Sequence, residues 1–491
     1  MDLEDTESLP LVTGVTRRKV SLLGACVVVG LLAVTLLVLV IVWATSPSAA
    51  PLLPRCGVAD YRDVLAVAPW PANRAQLLQW LSANMTAEEH GVVLMFGNPE
   101  QLTGDGDTSL LFRQNSQFLY TVGYSEVPDL ALAVDVRSGR ATLFVTPLDE
   151  VWNGENLSLE QWAQKAFVDA AADIAALPLF LGASSGGATL FLLPGVAAPS
   201  NWTGAVDSAR LLPALSKSRA VKTAAELDLM GRVAAAASSA HTAVMRGLLP
   251  SNSEYEAEAF FLDQCYACLL RRTGYTGIFA SGYSSAILHY VDNSKSPFAP
   301  GSLLLIDAGG EFAGYDTDIT RTLPVSGVFS PLQRGVYEAV LAAQAAGERA
   351  CRASATFSGM SASVTQSLAG SLFQLGFLRS ADVSLVRFFC PHGYFHTVGL
   401  DVHDTSLPNG PALPEHAVIT IEPGIYFNRV LFTDAVFARN PGLVREAVQP
   451  LVAGGFGGVR IEDTYAVEVA GCRALSSVPK TVAAIEQLMR K

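Results

Sequence analysis

Basic residues are in short supply. The 491-residue chain has 33 Lys and Arg against 45 Asp and Glu, a formal charge of −12. A nucleic-acid-binding surface needs a basic footprint, so this balance argues against that class of partner. Charge of either sign is thin, at 16% of residues, while half the chain is apolar. That is enough for large cores in two or three domains. No internal repeat and no low-complexity tract stands out.

Cysteine is also sparse, with seven residues. Cys265 and Cys268 form a C-x-x-C within the helical pattern "EAEAFFLDQCYACLLRR". A zinc site needs a second pair and a redox motif needs a strand-to-helix context. Both are missing, so these two read as structural.

Residues 20–44, "VSLLGACVVVGLLAVTLLVLVIVWA", lack charge entirely over 25 residues. As a helix this segment reaches about 37 Å, enough to cross a hydrocarbon core of about 30 Å. A cleaved signal peptide has a shorter apolar region, and Pro51 after "SAA" is a poor cleavage context. The segment is therefore expected to be a single transmembrane signal anchor. Arg17, Arg18 and Lys19 abut it, and the first basic residue beyond is Arg55. The positive-inside rule then makes residues 1–19 a cytosolic tail and places the rest in the lumen or outside the cell. This is a type II topology. Cys26 lies in the span, and the other six cysteines would face an oxidising compartment where disulfides are allowed but not dictated. Sequons at Asn84, Asn156 and Asn201 agree with this topology and make the chain a candidate glycoprotein.

Residues 45–60 read as a Pro-rich linker. Residues 61–215 alternate strand and helix signals, an α/β domain. "GVVLMFG", "DLALAVDV" and "ATLFVTPL" read as strands; "NRAQLLQWLSANM" and "LEQWAQKAFVDAAADIAAL" read as helices by their 3–4 spacing. Near "LLPALSKSRAVKT" the pattern changes, and residues 216–491 form a second, α+β domain. It begins with helices over about 223–247 and 253–272. A strand region around "GIFASG" and "AILHY" follows, and then a helix over about 330–353.

Acids appear in this domain where strands should be apolar. "IDAGGEFAGYDTDIT" carries Asp307, Glu311, Asp316 and Asp318 around a Gly-Gly turn. The strand-like segment "PHGYFHTVGLDVHD" holds His392, His396 and His403; "VITIEPGIYF" holds Glu422; "FGGVRIEDTYAVEV" holds Glu462. A buried Glu costs several kcal/mol unless it is paired or binds a metal. Two Asp, two Glu and one His form an oxygen-rich donor set that suits Mn²⁺, with Co²⁺, Zn²⁺ or Fe²⁺ as alternatives. Four carboxylates balance two divalent ions, and a two-metal centre is hydrolytic machinery.

These motifs resemble the pita-bread metallopeptidases: the methionine aminopeptidases, aminopeptidase P and prolidase. "LFRQNSQFLYTVGYSEVPDLALAVDVRSGRATLFV" resembles the N-terminal domain of eukaryotic prolidases, as does the spacing of 40 between Glu422 and Glu462. The resemblance covers roughly residues 70–490. It implies an N-terminal prolidase- or aminopeptidase P-like domain followed by a pita-bread domain. It implies Asp307, Asp318, His396, Glu422 and Glu462 as metal ligands, with Glu422 also shuttling a proton. His289, His392, His403 and Arg460 fall on catalytic motif positions, and Tyr275 on a position beside the first metal. Glu311 and Asp316 are expected to be solvated. The implied activity is hydrolysis of Xaa-Pro bonds in di- or oligopeptides, and the implied assembly is a homodimer. Alternatives are aminopeptidase P-like cleavage of Xaa-Pro-Yaa peptides and a catalytically weak, membrane-anchored peptide-binding protein.

Three departures from the family pattern stand out. Phe395 replaces the second Gly of H-G-x-G-H, so the loop beside His396 is expected to be displaced. Ser284 replaces an Asn beside the substrate cleft. Residues 405–421 form a short connection with no Lys or Arg, with "EHA" in place of the usual "PGM" turn. Eukaryotic prolidases have there a longer segment whose Arg binds the dipeptide carboxylate, a contact suited to a bidentate guanidinium.

Overall fold

The apolar runs of the first half fold as β1 (His90–Phe96), β2 (Ala131–Asp135) and β3 (Ala141–Val145). With β4 (Ala170–Asp173), β5 (Ala188–Phe191) and β6 (Ala205–Asp207) they make a mixed sheet in the order β4-β3-β2-β1-β5-β6. Both faces are covered, which is why "GVVLM" is apolar without alternation. Val93, Met95, Leu132 and Val134 share one core with Leu77 and Leu81 of the helix Trp70–Ser82. Val92, Leu94, Phe144 and Leu190 pack with Leu181 in another.

This is a computed structural model, and it describes residue 56 and residues 67–104, 106, 108–123, 127–405 and 412–490. The expected tail (1–19), the expected span (20–44) and all of the linker but Cys56 lie outside the described residues. Among the described residues no helix is long and apolar enough to cross a membrane.

One helix expectation fails. The spacing over 159–177 predicts a continuous helix, but the helix stops at Lys165, Phe167 takes φ 54°, and Ala170–Asp173 becomes β4. A second helix then runs over Leu177–Ser184. The Ala-rich stretch favours helix by propensity. Here it pairs in parallel with the open edge of β3, Thr142 opposite Ala170, and the backbone pairing of that edge outweighs propensity.

The second half starts with the helix Ala224–Gly247, whose Thr223 and Glu226 form a capping box. The next helix, Glu254–Ala267, ends five residues before the expected 272 because Leu269 takes φ 64° and the chain enters β7 (Arg272–Thr273). The helix Pro331–Ala350 begins within a Ser330/Gln333 capping box, and Phe357–Gln374 follows.

The remaining strands are β8 (Ile278–Ser281), β9 (Leu303–Asp307), β10 (Gly310–Phe312), β11 (Tyr315–Asp316), β12 (Thr320–Pro324), β13 (Val418–Ile421), β14 (Gly424–Tyr426), β15 (Gly458–Arg460), β16 (Asp463–Val467) and β17 (Cys472–Ala474). They form four small sheets: β12-β9-β8, β11-β10-β7, β13-β16-β17 and β14-β15. "AILHY" is not a strand; a 3₁₀ turn over Gly282–Ala286 precedes a loop. Residues 391–404 carry only an isolated bridge, Thr397 to Ile419.

Cys268 is disulfide-bonded to Cys56, and Cys351 to Cys472. Cys265 is free and buried, so the two cysteines of the C-x-x-C do not pair with each other. Both serve the structure, as expected.

Candidate metal centre

Strand breaks place the acids. β9 and β12 pair antiparallel with Asp307 opposite Thr320. Asp318 lies just before β12, and its backbone exchanges hydrogen bonds with the Thr464 hydroxyl of β16. Glu422 occupies the break between β13 and β14, forced by Pro423, which has no N–H to give a ladder. Glu462 occupies the matching break between β15 and β16, where its backbone bridges to Thr320. The loop 391–404 then brings His396, whose N–H donates to the Thr420 hydroxyl (3.1 Å).

The five expected ligands converge. His396 Nε2 lies 3.3 Å from Asp318 Oδ2, 3.5 Å from Glu422 Oε1 and 3.7 Å from Glu462 Oε1. Ligand atoms of Asp318, His396 and Glu462 all lie within 4.8 Å of one another. Asp307 stands beside Asp318, both accepting from the Tyr275 hydroxyl at 2.7 Å. Tyr275 thus bridges the two aspartates. His396 Nδ1–H donates to the Thr397 carbonyl (3.1 Å), which turns Nε2 toward the acids.

Asp307, Asp318 and Glu462 are each less than 9% exposed. Burial, reinforced by Asp318, pushes the Glu462 carboxyl up to about 7. Burial and then Glu462 push Glu422 well above the carboxylate range. Burial opposes charge on His396, but its contacts with Asp318 and Glu462 push it up to about 11. The cluster has an excess of negative charge. Glu462 Oε1 is buried with no hydrogen-bond partner in the protein. An orphaned carboxylate oxygen beside an imidazole nitrogen that other acids also face fits a divalent cation, which would take the place of the imidazolium proton.

A rigid frame holds the acids. Thr320 Oγ1 donates to Glu462 Oε2 (2.6 Å). Arg321, itself buried, gives its guanidinium to Asp463 (2.7 Å) and to the carbonyls of Thr320, Glu462 and Val478, tying β12 to β16 behind the site. Arg460 pairs with Asp307 and donates to the Tyr426 hydroxyl (2.9 Å). With that acceptor filled, Tyr426 O–H donates to His392 Nε2 (2.9 Å), while His392 Nδ1–H donates to the Gly393 carbonyl (2.7 Å). Burial and then Arg460 hold His392 neutral, down at about 4. Both ring nitrogens are engaged, so His392 positions the wall rather than offering a free donor. The sequence reading missed Tyr426 and Thr320, although both lie within the motifs that pointed to the site.

The four acids and His396, with His392 and Arg460, line a cavity of about 470 Å³ that also includes Leu288, His289, Phe395 and His403. The ring of His403 lies 4.3 Å from that of His396. Phe395 does not displace its loop. It takes no positive φ, its ring stacks on Phe357 (5.6 Å, 4° between planes), and His396 still reaches the acids. Ser284 sits in the 3₁₀ turn before Leu288 and His289.

Glu311 and Asp316 overturn the expectation of solvation: they are 4% and 1% exposed. β10 lies between β11 and β7, and on the edge strand β11 the Asp316 N–H donates to the Gly399 carbonyl (2.8 Å). Glu311 is held by Arg113 (2.6 Å) and faces Arg272 (3.5 Å). Neither oxygen of Asp316 has a hydrogen-bond partner among the described residues, and burial and then Glu311 push its carboxyl well above the usual range.

Comparison with known proteins agrees with this geometry. Residues 228–468 match metallopeptidase family M24, and residues 70–190 match the N-terminal domain of aminopeptidase P. A probable Xaa-Pro aminopeptidase of Paracoccidioides brasiliensis is 32% identical over 435 residues, 82% of this chain and 92% of that one. The Xaa-Pro dipeptidase of Homo sapiens is 32% identical over 459 residues, 85% of this chain and 92% of that one. Zinc-substituted Escherichia coli aminopeptidase P in complex with product superposes with a TM-score of 0.72 at 27% identity, over 86% of this chain and 99% of that one. Proline aminopeptidase P II from Yersinia pestis gives 0.70 at 29% identity, over 85% and 99%. The chain belongs to metallopeptidase family M24, with an aminopeptidase P-type N-terminal domain in front of its pita-bread domain.

Proposed function

We propose that this protein is a dinuclear metal-dependent exopeptidase that hydrolyses Xaa-Pro bonds. The observation that carries this reading is the convergence of four carboxylates and His396 Nε2 around the orphaned Glu462 oxygen. Asp307, Asp318, His396, Glu422 and Glu462 would hold the ions, with Mn²⁺ favoured by the oxygen-rich set. Bound divalent cations supply Lewis acidity and an activated water. The chain's own groups do the rest. Glu422, on the cavity wall with 16% of its side chain exposed, takes the proton of the attacking water and passes it to the departing proline nitrogen. His289 and His403 line the cavity where donors meet the charge that develops on the substrate carbonyl. Relatives named for Xaa-Pro cleavage support the substrate class.

The test is hydrolysis of an Xaa-Pro peptide beside a non-proline dipeptide, after chelation and after Mn²⁺ is restored. We expect Mn²⁺-dependent cleavage of the proline peptide alone. Equal rates on both, or full activity in chelator, would remove the reading.

We further propose that residues 20–44 are a signal anchor with the catalytic domain lumenal or extracellular, that the sequons at Asn84, Asn156 or Asn201 carry glycan there, and, from the family resemblance alone, that the chain assembles as a homodimer. A C-terminal tag should be protected from protease in sealed microsomes. Its digestion without detergent would refute this topology.

A further inference from the structure

His403 makes no hydrogen bond through its ring among the described residues, yet it stands over His396. Something other than its own contacts must fix it there. The two acids that flank it, Asp401 and Asp404, are both anchored from outside the pita-bread sheets. Asp404 Oδ1 lies 2.5 Å from Arg219 Nη2, and its Oδ2 lies 2.8 Å from Lys222 Nζ. All three side chains are at most 2% exposed. Lys222 Nζ also donates to the Arg219 carbonyl (2.7 Å).

Asp401 Oδ2 accepts from the same Arg219 nitrogen (2.6 Å), and its Oδ1 accepts from the Ser116 hydroxyl (2.6 Å). Arg113 donates to the neighbouring Leu400 carbonyl (2.6 Å). Ser116 and Arg113 belong to the N-terminal domain; Arg219 and Lys222 belong to the connection between domains. The loop closes on itself as well, with Asp404 N–H donating to the Thr397 carbonyl (2.9 Å). Gly399 leaves the room this needs: a Cβ there would lie 2.0 Å from Asp404 Oδ2 and 2.9 Å from Lys222 Nζ.

Buried ion pairs add little net stability, because desolvation offsets their attraction. They do fix geometry, since any displacement leaves a buried charge unpaired. We propose that Arg219, Lys222 and Ser116 form a clamp on Asp401 and Asp404 that positions His403 over the metal centre. They are positioning residues, acting through His403 from the N-terminal domain and the interdomain connection. This inference rests on the function proposed above. The sequence signal was the pair of basic residues three apart in "SKSRAVKT", just ahead of a capped helix; it reads only as a domain boundary until Asp404 is seen between them.

A double-mutant cycle tests the clamp on the full chain loaded with Mn²⁺. Lys222→Met should leave the bound metal unchanged and KM nearly so, while kcat falls by about 10- to 100-fold, the usual cost of removing the support behind a site group. In a His403→Ala background Lys222→Met should cost nothing further. Ser116→Ala, which removes the hydroxyl's contacts with Asp401, the Leu400 carbonyl and Arg113 but leaves the buried charge pairs intact, runs the same cycle with a smaller loss should Lys222→Met not fold. An equal loss in both backgrounds, or loss of metal with the clamp, overturns the proposal. If the wild-type chain cleaves no Xaa-Pro peptide, the function is wrong, and amide exchange over residues 397–405 then decides the clamp alone. Faster exchange in the variants supports it, and unchanged exchange refutes it.

Discussion

Asp318→Ala is expected to lower kcat/KM by at least about a thousandfold, because Lewis-acid stabilisation is worth several kcal/mol and each 1.36 kcal/mol is a decade. Asp318 is central to the cluster: it takes His396 Nε2 at 3.3 Å and shares the Tyr275 hydroxyl with Asp307. Removing it takes a donor from the Asp318–His396–Glu462 group. The number of ions per chain should fall from two to one or none. The fold should survive, since the change removes one of several crowded negative charges and leaves Arg460 paired with Asp307. Without metal, the variant should melt below the metal-free wild type at neutral pH, because, against burial, His396 holds the Asp318 carboxyl below its usual range and loses that partner. With Mn²⁺ the gap should widen, because a ligand that binds only the folded state stabilises in proportion to its affinity. Metal analysis, melting curves in chelator and in Mn²⁺, and peptide kinetics read these outcomes together. Two ions and an undiminished rate in Asp318→Ala would show that the ligands are assigned wrongly.

What the sequence disclosed depended on chemical conflict. Asp307, Glu422 and Glu462 sit in strand-like, largely apolar runs, and a buried carboxylate in such a run needs a charged partner or a cation. In the structure they lie together with Asp318 and His396. Asp316 and Glu311 showed the same conflict, and the solvated reading missed it, because the turn "GGEFAG" looks like an exposed hairpin tip. The pairing of β10 with β7, the reach of Arg113 from the N-terminal domain and the Gly399 carbonyl that takes the Asp316 N–H bury that hairpin. Such contacts span up to 198 residues of sequence and leave no local trace. β4 was lost for the related reason that an Ala-rich segment has helix propensity, and its partner edge lies elsewhere in the chain. The loop 391–404 alternates like a strand but spends its backbone on bonds to Thr420, Thr397 and the β13 edge. Its side chains serve the site, so its pattern records chemistry rather than pairing.

Substrate length should follow from where positive charge is available. A dipeptide Xaa-Pro presents its C-terminal carboxylate beside the scissile bond, and a tripeptide replaces that carboxylate with an amide. Among the described residues lining the metal cavity, Arg460 is the one Lys or Arg, and it is already engaged by Asp307, Tyr426 and Thr320. Residues 406–411 lie outside the described residues, but their sequence, "SLPNGP", contains no cation. Two arginines further along are the candidates to stand in. Arg445 is committed elsewhere, pairing with Asp434 and lying over the Phe437 ring (5.4 Å). Arg429 lies over the Tyr283 ring (4.1 Å), in the 3₁₀ turn that leads to Leu288 and His289. A desolvated carboxylate without its charged partner forfeits about 2–5 kcal/mol. Even the low end is about 30-fold in kcat/KM. Gly-Pro-Ala should therefore be cleaved at least about tenfold better than Gly-Pro, allowing for water at the open side of the cavity. Arg445→Ala should change neither rate. If Arg429 does reach the carboxylate, Arg429→Ala will lower Gly-Pro hydrolysis and spare Gly-Pro-Ala. A strong preference for Gly-Pro that survives both substitutions would mean that a cation outside these candidates reads the carboxylate, and that the short 405–421 connection does not govern substrate length.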